Sequence, residues 1–167
     1  MSRLRRLLVS DRVFFITCNL LRTRLPFATP DFACLAEAFQ GVRRRREFLL
    51  TGYVFMPDHW HALIVPHAGD TLSRLMDALK VAALRRVNAQ RGRREPLWQP
   101  RFFDEIIRTV KQYHDRLAYM HLNPVERGLV QKPEDWAWSS FRFYAGSGEA
   151  PLEIDRLDLP ADANAPL

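Results

Sequence analysis

Cysteine is nearly absent from this 167-residue chain: Cys18 and Cys34 are the only two. Two thiols are too few for a disulfide scaffold or a thiolate metal site, and both sit in apolar surroundings, so we expect reduced core residues and a reducing cytoplasm. Long apolar runs are also missing. No stretch approaches the roughly 18 residues of a membrane span, so no membrane partner is expected. The basic opening segment 1–10 has an apolar part too short for a signal peptide. Lysine is scarce, with Lys80, Lys111 and Lys132 alone among 25 cations. The seven glycines include none in the Lys/Arg-Gly-aromatic context of an RNA-binding sheet. That counts against a non-catalytic single-stranded nucleic-acid-binding platform, which is the main alternative reading for a basic protein of this kind.

What is present suits one globular domain: 47% hydrophobic and 26% charged residues in a chain of ordinary domain size. The formal charge of +6 is unevenly spread. Residues 1–100 carry 17 Arg/Lys against 8 Asp/Glu, a net of +9, and residues 101–167 carry 8 against 11, a net of −3. A basic body points to a polyanionic partner, most simply nucleic acid. From Gly146 the chain turns to Pro, Ala and Asp. We therefore expect a main unit over residues 1–145 and a mobile acidic tail over 146–167.

Periodicity orders the elements. Residues 11–19 are rich in β-branched and aromatic residues and read as a strand. Phe32, Leu35, Ala36 and Phe39 have helical spacing behind Asp31 as N-cap, with the helix fading near Gly41. Arg43–Arg46 follow, then a strand over 48–55, a turn at Pro57-Asp58, and a strand ending near Pro66. Asp70-Thr71 opens a helix to about Gln90 with a stripe of Leu72, Leu75, Met76, Leu79 and Ala83. A strand over 97–107 comes next, then a helix from Val110 to Leu122 that Pro124 should stop. Trp136, Trp138, Phe141, Phe143 and Tyr144 should cover the core. This order predicts an α+β fold with a ferredoxin-like split βαβ antiparallel sheet and a C-terminal tyrosine-bearing helix.

Within the second hairpin strand, His59 and His61 alternate onto one face and Trp60 onto the other. Two such imidazoles can grip one divalent cation. Two His and one oxygen ligand suit Mg²⁺ or Mn²⁺ with phosphate oxygens completing the shell. A three-imidazole zinc site recruiting His67, His114 or His121 is the alternative. On the last helix, Tyr119 and Asn123 share a face at i, i+4. A phenol ionises near pH 10, so it attacks usefully only when a base or metal-bound group takes its proton. Tyr113 lies six residues earlier and faces away, and its i+4 partner Leu117 binds no metal. Asp58 and Glu105 are candidate assisting groups or a base. Lys80, Arg85 and Arg86, with Arg43 and Arg44, are candidate DNA-backbone contacts; the alternative for each is a solvated helix face.

The segment Met56-Pro-Asp-His-Trp-His61 followed by Leu63-Ile-Val65 resembles the HUH signature of single-tyrosine transposases. Trp98-Gln-Pro-Arg-Phe-Phe-Asp-Glu-Ile-Ile107, Tyr119-Met-His-Leu-Asn-Pro-Val125, Gly128-Leu-Val130 and Trp138-Ser-Ser-Phe141 with Tyr144 resemble the REP-associated branch, over roughly residues 8–145. The middle position, Trp60, is larger than the usual aliphatic residue. The resemblance implies a metal-dependent endonuclease and strand-transferase. Tyr119 would attack single-stranded or hairpin DNA, forming a 5′-phosphotyrosine and releasing a 3′-OH. His59 and His61 would bind the metal, with Asn123 standing where the family has its third ligand. It leaves open monomer or homodimer.

Overall fold

The structure is a computed structural model that describes residues 12–167 and the backbone of a short strand, Leu4–Arg5. The rest of the basic opening segment, with Asp11, lies outside the described residues. In chain order the elements are β1 (Leu4–Arg5), β2 (Val13–Asn19), α1 (Thr29–Arg46), β3 (Leu49–Phe55), β4 (His59–Val65), α2 (Leu72–Arg91), β5 (Phe103–Ile107), α3 (Val110–Glu126), α4 (Phe141–Ala145) and β6 (Arg156–Leu157). The main sheet has the order β3-β4-β2-β5 with every neighbour antiparallel. This is the expected split βαβ sheet.

Strand alternation splits the interior in two. Ile16, Cys18, Tyr53, Phe55, Trp60, Ala62 and Ile64 face α1 and α2. Trp60 packs edge-on against Phe39 of α1, so its bulk is spent on the helical layer, away from the histidines. Val13, Phe15, Val54, Met56, Leu63 and Val65 face α3, where Tyr113, Leu117 and Met120 cover them. Gly52 permits that approach. A Cβ there would stand 2.7 Å from Leu117 Cδ1 and 2.9 Å from Met120 Cε. The missing side chain thus lets the tyrosine helix lie close over the sheet.

Four boundaries depart from the sequence reading: the strand expected over 97–107 is confined to Phe103–Ile107, with only an isolated bridge between Trp98 and Leu20 before it, and three helix ends differ. The first helix starts at Thr29, so Asp31 is three residues inside it, accepting from Ala28 N–H at 2.8 Å rather than serving as N-cap. The helix also runs through Gly41 to Arg46. Gly41 is buried near Arg86 of α2, and helix–helix packing offsets its poor propensity. Four arginines in the last turn favour the helix C-terminus electrostatically. Similarly, α3 continues past Pro124 to Glu126, because the proline falls in the last turn, where few bonds remain to be lost.

The tail is a further correction. Instead of moving freely, it packs. Leu152 and Ile154 are buried against the α1 side of the sheet, and Leu157 joins the α3 side. Asp155 accepts from Leu50 N–H at 3.0 Å and pairs with Arg43. Lys111 N–H donates to Ala163 O at 2.7 Å, and Leu167 N–H to Arg108 O at 3.0 Å. Apolar residues dispersed among the acids anchor the segment, although its average composition is that of a solvated tail.

Candidate active site

β4 presents His59 and His61 on the α3 face, both buried. Their Nε2 atoms lie 3.1 Å apart. Each ring is oriented by its other nitrogen: His59 Nδ1 lies 2.6 Å from Asp58 Oδ1, and His61 Nδ1 lies 2.8 Å from Thr17 Oγ1. Partners outside the pair fix the rings so that both Nε2 atoms converge, the arrangement metal-ligating histidines use. Phe15 stacks on His61 with centroids 5.2 Å apart.

α3 delivers the rest. Asn123 is buried with Nδ2 3.5 Å from His61 Nε2, and its Oδ1 has no hydrogen-bond partner. A buried amide oxygen without a partner is costly unless something binds it. Rotating the amide about χ2 turns this oxygen toward the imidazoles. Tyr119, one turn earlier, is 40% exposed. Its ring meets His61 at 5.4 Å and Phe15 at 6.1 Å between centroids, both edge-on. The structure therefore brings together Tyr119, His59, His61 and Asn123 in one chain.

The surroundings hold both imidazoles neutral. Burial lowers the pKa of His59 against the opposing pull of Asp58. Burial, then the neighbouring His59, lowers His61 to about 3. Neutral imidazole is the ligating form. The donor set of two imidazoles and one amide oxygen thus fits an open divalent site. The zinc alternative finds no support: His121 Nε2 is held by Ser140 Oγ at 2.8 Å, and His67 and His114 are exposed. Among the described residues, no cluster of three His, Cys or carboxylate groups forms.

His121 yields a pH prediction. Burial lowers its pKa from 6.5 to about 4. Below pH 6.5 the unfolded chain takes up a proton that the native state refuses, so this contribution to stability is present above 6.5 and is lost as pH falls toward 4. The scale is about 1.4 kcal/mol per pKa unit. In EDTA, His121→Gln should show a shallower fall in Tm between pH 7 and 5 than the parent chain. Parallel curves would refute the assignment.

The five nominated cations do not converge on this site. They ride on α1 and α2, the layer on the other face of the sheet. Arg43 is committed to Asp155, Arg86 lies 3.5 Å from Glu37, and Lys80 Nζ donates to the carbonyls of Gln99 and Pro100. Arg44 and Arg85 are exposed, with no ion pair among the described residues. Two other arginines flank the histidines. Arg116 lies over the Phe15 ring at 5.0 Å and pairs with Glu105 at 2.6 Å; Arg127 stands 3.7 Å from Asp58. Glu105 is engaged by Arg116 and Gln112, whereas Asp58 orients His59. Arg116, Arg127 and Thr17 escape a sequence reading, since only strand pairing and the crossing of α3 bring them to the histidines.

The profile of the family described as "Transposase IS200 like" matches residues 15–123, well over half of the chain and including all four site residues. The chain belongs to this family. As an IS200-like transposase it is an enzyme of DNA transposition, as its resemblance to the single-tyrosine group implies. Transposases of this kind are generally metal-dependent. It is 29% identical over 154 residues to a REP-associated tyrosine transposase of Escherichia coli K12, spanning 92% of this chain and 90% of that one. It is 28% identical to a putative REP-associated tyrosine transposase of Haemophilus influenzae, spanning 84% and 86%. A solved REP-associated tyrosine transposase, bound to a REP hairpin, superposes with a TM-score of 0.72 at 28% identity, covering 99% of this chain and 98% of that one. No helix among the described residues is long and apolar enough to cross a membrane.

Proposed function

We propose that this transposase nicks and rejoins single-stranded DNA beside a hairpin-forming repeat, with Tyr119 as nucleophile. The observation that carries the reading is the contact of an exposed phenol with a buried, pre-oriented imidazole pair in the same chain. Tyr119 Oη attacks phosphorus, the bond to the 3′ oxygen breaks, and a 5′-phosphotyrosine remains with a free 3′-OH. The phosphodiester's energy is kept in that linkage, so rejoining needs no ATP. His59, His61 and the Asn123 amide oxygen would hold Mg²⁺ or Mn²⁺, which supplies Lewis acidity at a phosphate oxygen. Asp58 and Thr17 keep the two rings aimed, and Phe15 limits their movement. Arg116 and Arg127 give the site a positive field for the incoming backbone. Arg44 and Arg85 remain for phosphates of a longer duplex stem.

A hairpin substrate is favoured by the full-length likeness to a relative solved with a REP hairpin. The meeting of Tyr119 and His61 rings within one chain supports catalysis inside a single subunit. Action on DNA in a reducing cytoplasm agrees with two free cysteines. The test is incubation with labelled hairpin-bearing single strands. An SDS-resistant adduct should form with Mg²⁺ or Mn²⁺ and vanish in EDTA. Binding without any adduct would reduce the protein to a nucleic-acid binder.

A further inference from the structure

Beside the histidine pair, the end of β2 and the turn before β4 enclose a recess of about 470 Å³, bordered by Asn19, Leu21, Arg22, Pro26, Asp58 and Gln99. Main-chain bonds fix its frame. Leu20 N–H donates to Asp58 O at 2.8 Å, Leu21 N–H to Leu97 O at 2.7 Å, and Gln99 N–H to Asn19 O at 2.9 Å. Two of its residues adjoin the candidate active site directly: Asn19 is the cross-strand partner of His59, and Asp58 bonds the His59 ring. A group in the recess is therefore a neighbour of His59.

The lining is chemically mixed. Leu21 and Pro26 offer apolar walls. Gln99 gives its N–H to Leu20 O at 3.2 Å, which leaves its amide oxygen facing other partners. Asp58 adds an acceptor. Arg22 is exposed and has no ion pair among the described residues, whereas nearby Arg24 is tied to Glu95 and Pro96 O. A site for phosphate alone would not carry a carboxylate in its wall. A nucleotide fits every feature: flat faces for the apolar walls, a base edge with donors and acceptors, and a phosphate for the free guanidinium.

We propose that this recess takes the unpaired nucleotide adjoining the scissile phosphate, its base against the apolar walls and its phosphate on Arg22, and thereby selects the base at that position. The inference rests on the proposed function. Its test uses the full chain with Mg²⁺ and a hairpin-bearing strand that carries the photo-crosslinking base 4-thiothymidine at each unpaired position in turn. The position next to the cleaved linkage should crosslink to residues 19–26 or 97–101. Arg22→Ala should raise KM about tenfold at little change in kcat and equally for every base, whereas Gln99→Ala should flatten the base preference at that one position. Binding of the isolated hairpin should stay unchanged. Crosslinks elsewhere, or an unaltered KM in Arg22→Ala or an unaltered base preference in Gln99→Ala while the Tyr119 adduct still forms, would overturn the recess assignment alone. Absence of the adduct in the parent chain would overturn it together with the function on which it rests.

Discussion

Tyr119→Phe should abolish the covalent DNA adduct and lower strand cleavage by at least about a thousandfold, because the change deletes the attacking atom. It deletes little else. The ring keeps its edge contacts with His61 and Phe15, and the site is partly exposed. Stability should therefore move by no more than about 0.5 kcal/mol, and hairpin affinity by less than about threefold. No other tyrosine can take over. Tyr113 and Tyr144 bond each other's hydroxyls at 3.1 Å, and Tyr144 OH donates to Thr51 O at 2.5 Å. Burial pushes both phenols' pKa up, so neither ionises readily. Tyr53 is wholly buried on the opposite face of the sheet. Mass spectrometry of the protein–oligonucleotide conjugate decides the matter. An adduct in Tyr119→Phe, or one mapped to Tyr113 or Tyr144 in the parent chain, would remove Tyr119 from the mechanism.

How much of this could be read beforehand depends on whether a feature is set by local geometry. His59 and His61 share a face because a strand alternates, whatever its neighbours. Tyr119 and Asn123 share a face because a helix repeats. Both statements need only the element type, and the order of elements gave the sheet. Thr17 is different. Its hydroxyl orients His61 only because β2 pairs with β4 in a register that sets Thr17 against His61. Nothing within residues 13–19 announces that register. Arg116 and Arg127 lie in the part of the chain with net negative charge, so a regional sum directs attention away from them. The cations it favours instead are on α1 and α2, behind the sheet. The tail misleads similarly. Its acids dominate the composition, but Leu152, Ile154 and Leu157 at short intervals decide its packing. Pro124 breaks a helix in principle, yet two residues from the end it costs little.

His61→Ala should be nearly as damaging as loss of the nucleophile, for a different reason. In the proposed metal site, the two Nε2 atoms at 3.1 Å and the partnerless Asn123 Oδ1 would form a donor set that needs every member. Removing one imidazole from three protein ligands leaves two, below the number an open divalent site ordinarily keeps. A catalytic metal contributes several kcal/mol of charge stabilisation, and about 4 kcal/mol corresponds to about a thousandfold in rate. Cleavage should fall by that order, and excess Mn²⁺ should restore part of it by mass action. Folding should survive, because the lost ring was a buried polar group. Its removal frees Thr17 Oγ1 and opens space beside Phe15, but spares the apolar contacts of Leu117 and Met120 with the sheet. Hairpin binding should persist, separating this loss from misfolding. His67→Ala is the control: the ring is exposed and remote from the pair, so activity should not change. The decisive measurement is cleavage rate against Mn²⁺ concentration for all three chains. Superimposable curves for the parent chain and His61→Ala would mean that the imidazole pair holds no catalytic cation, whatever its geometry suggests.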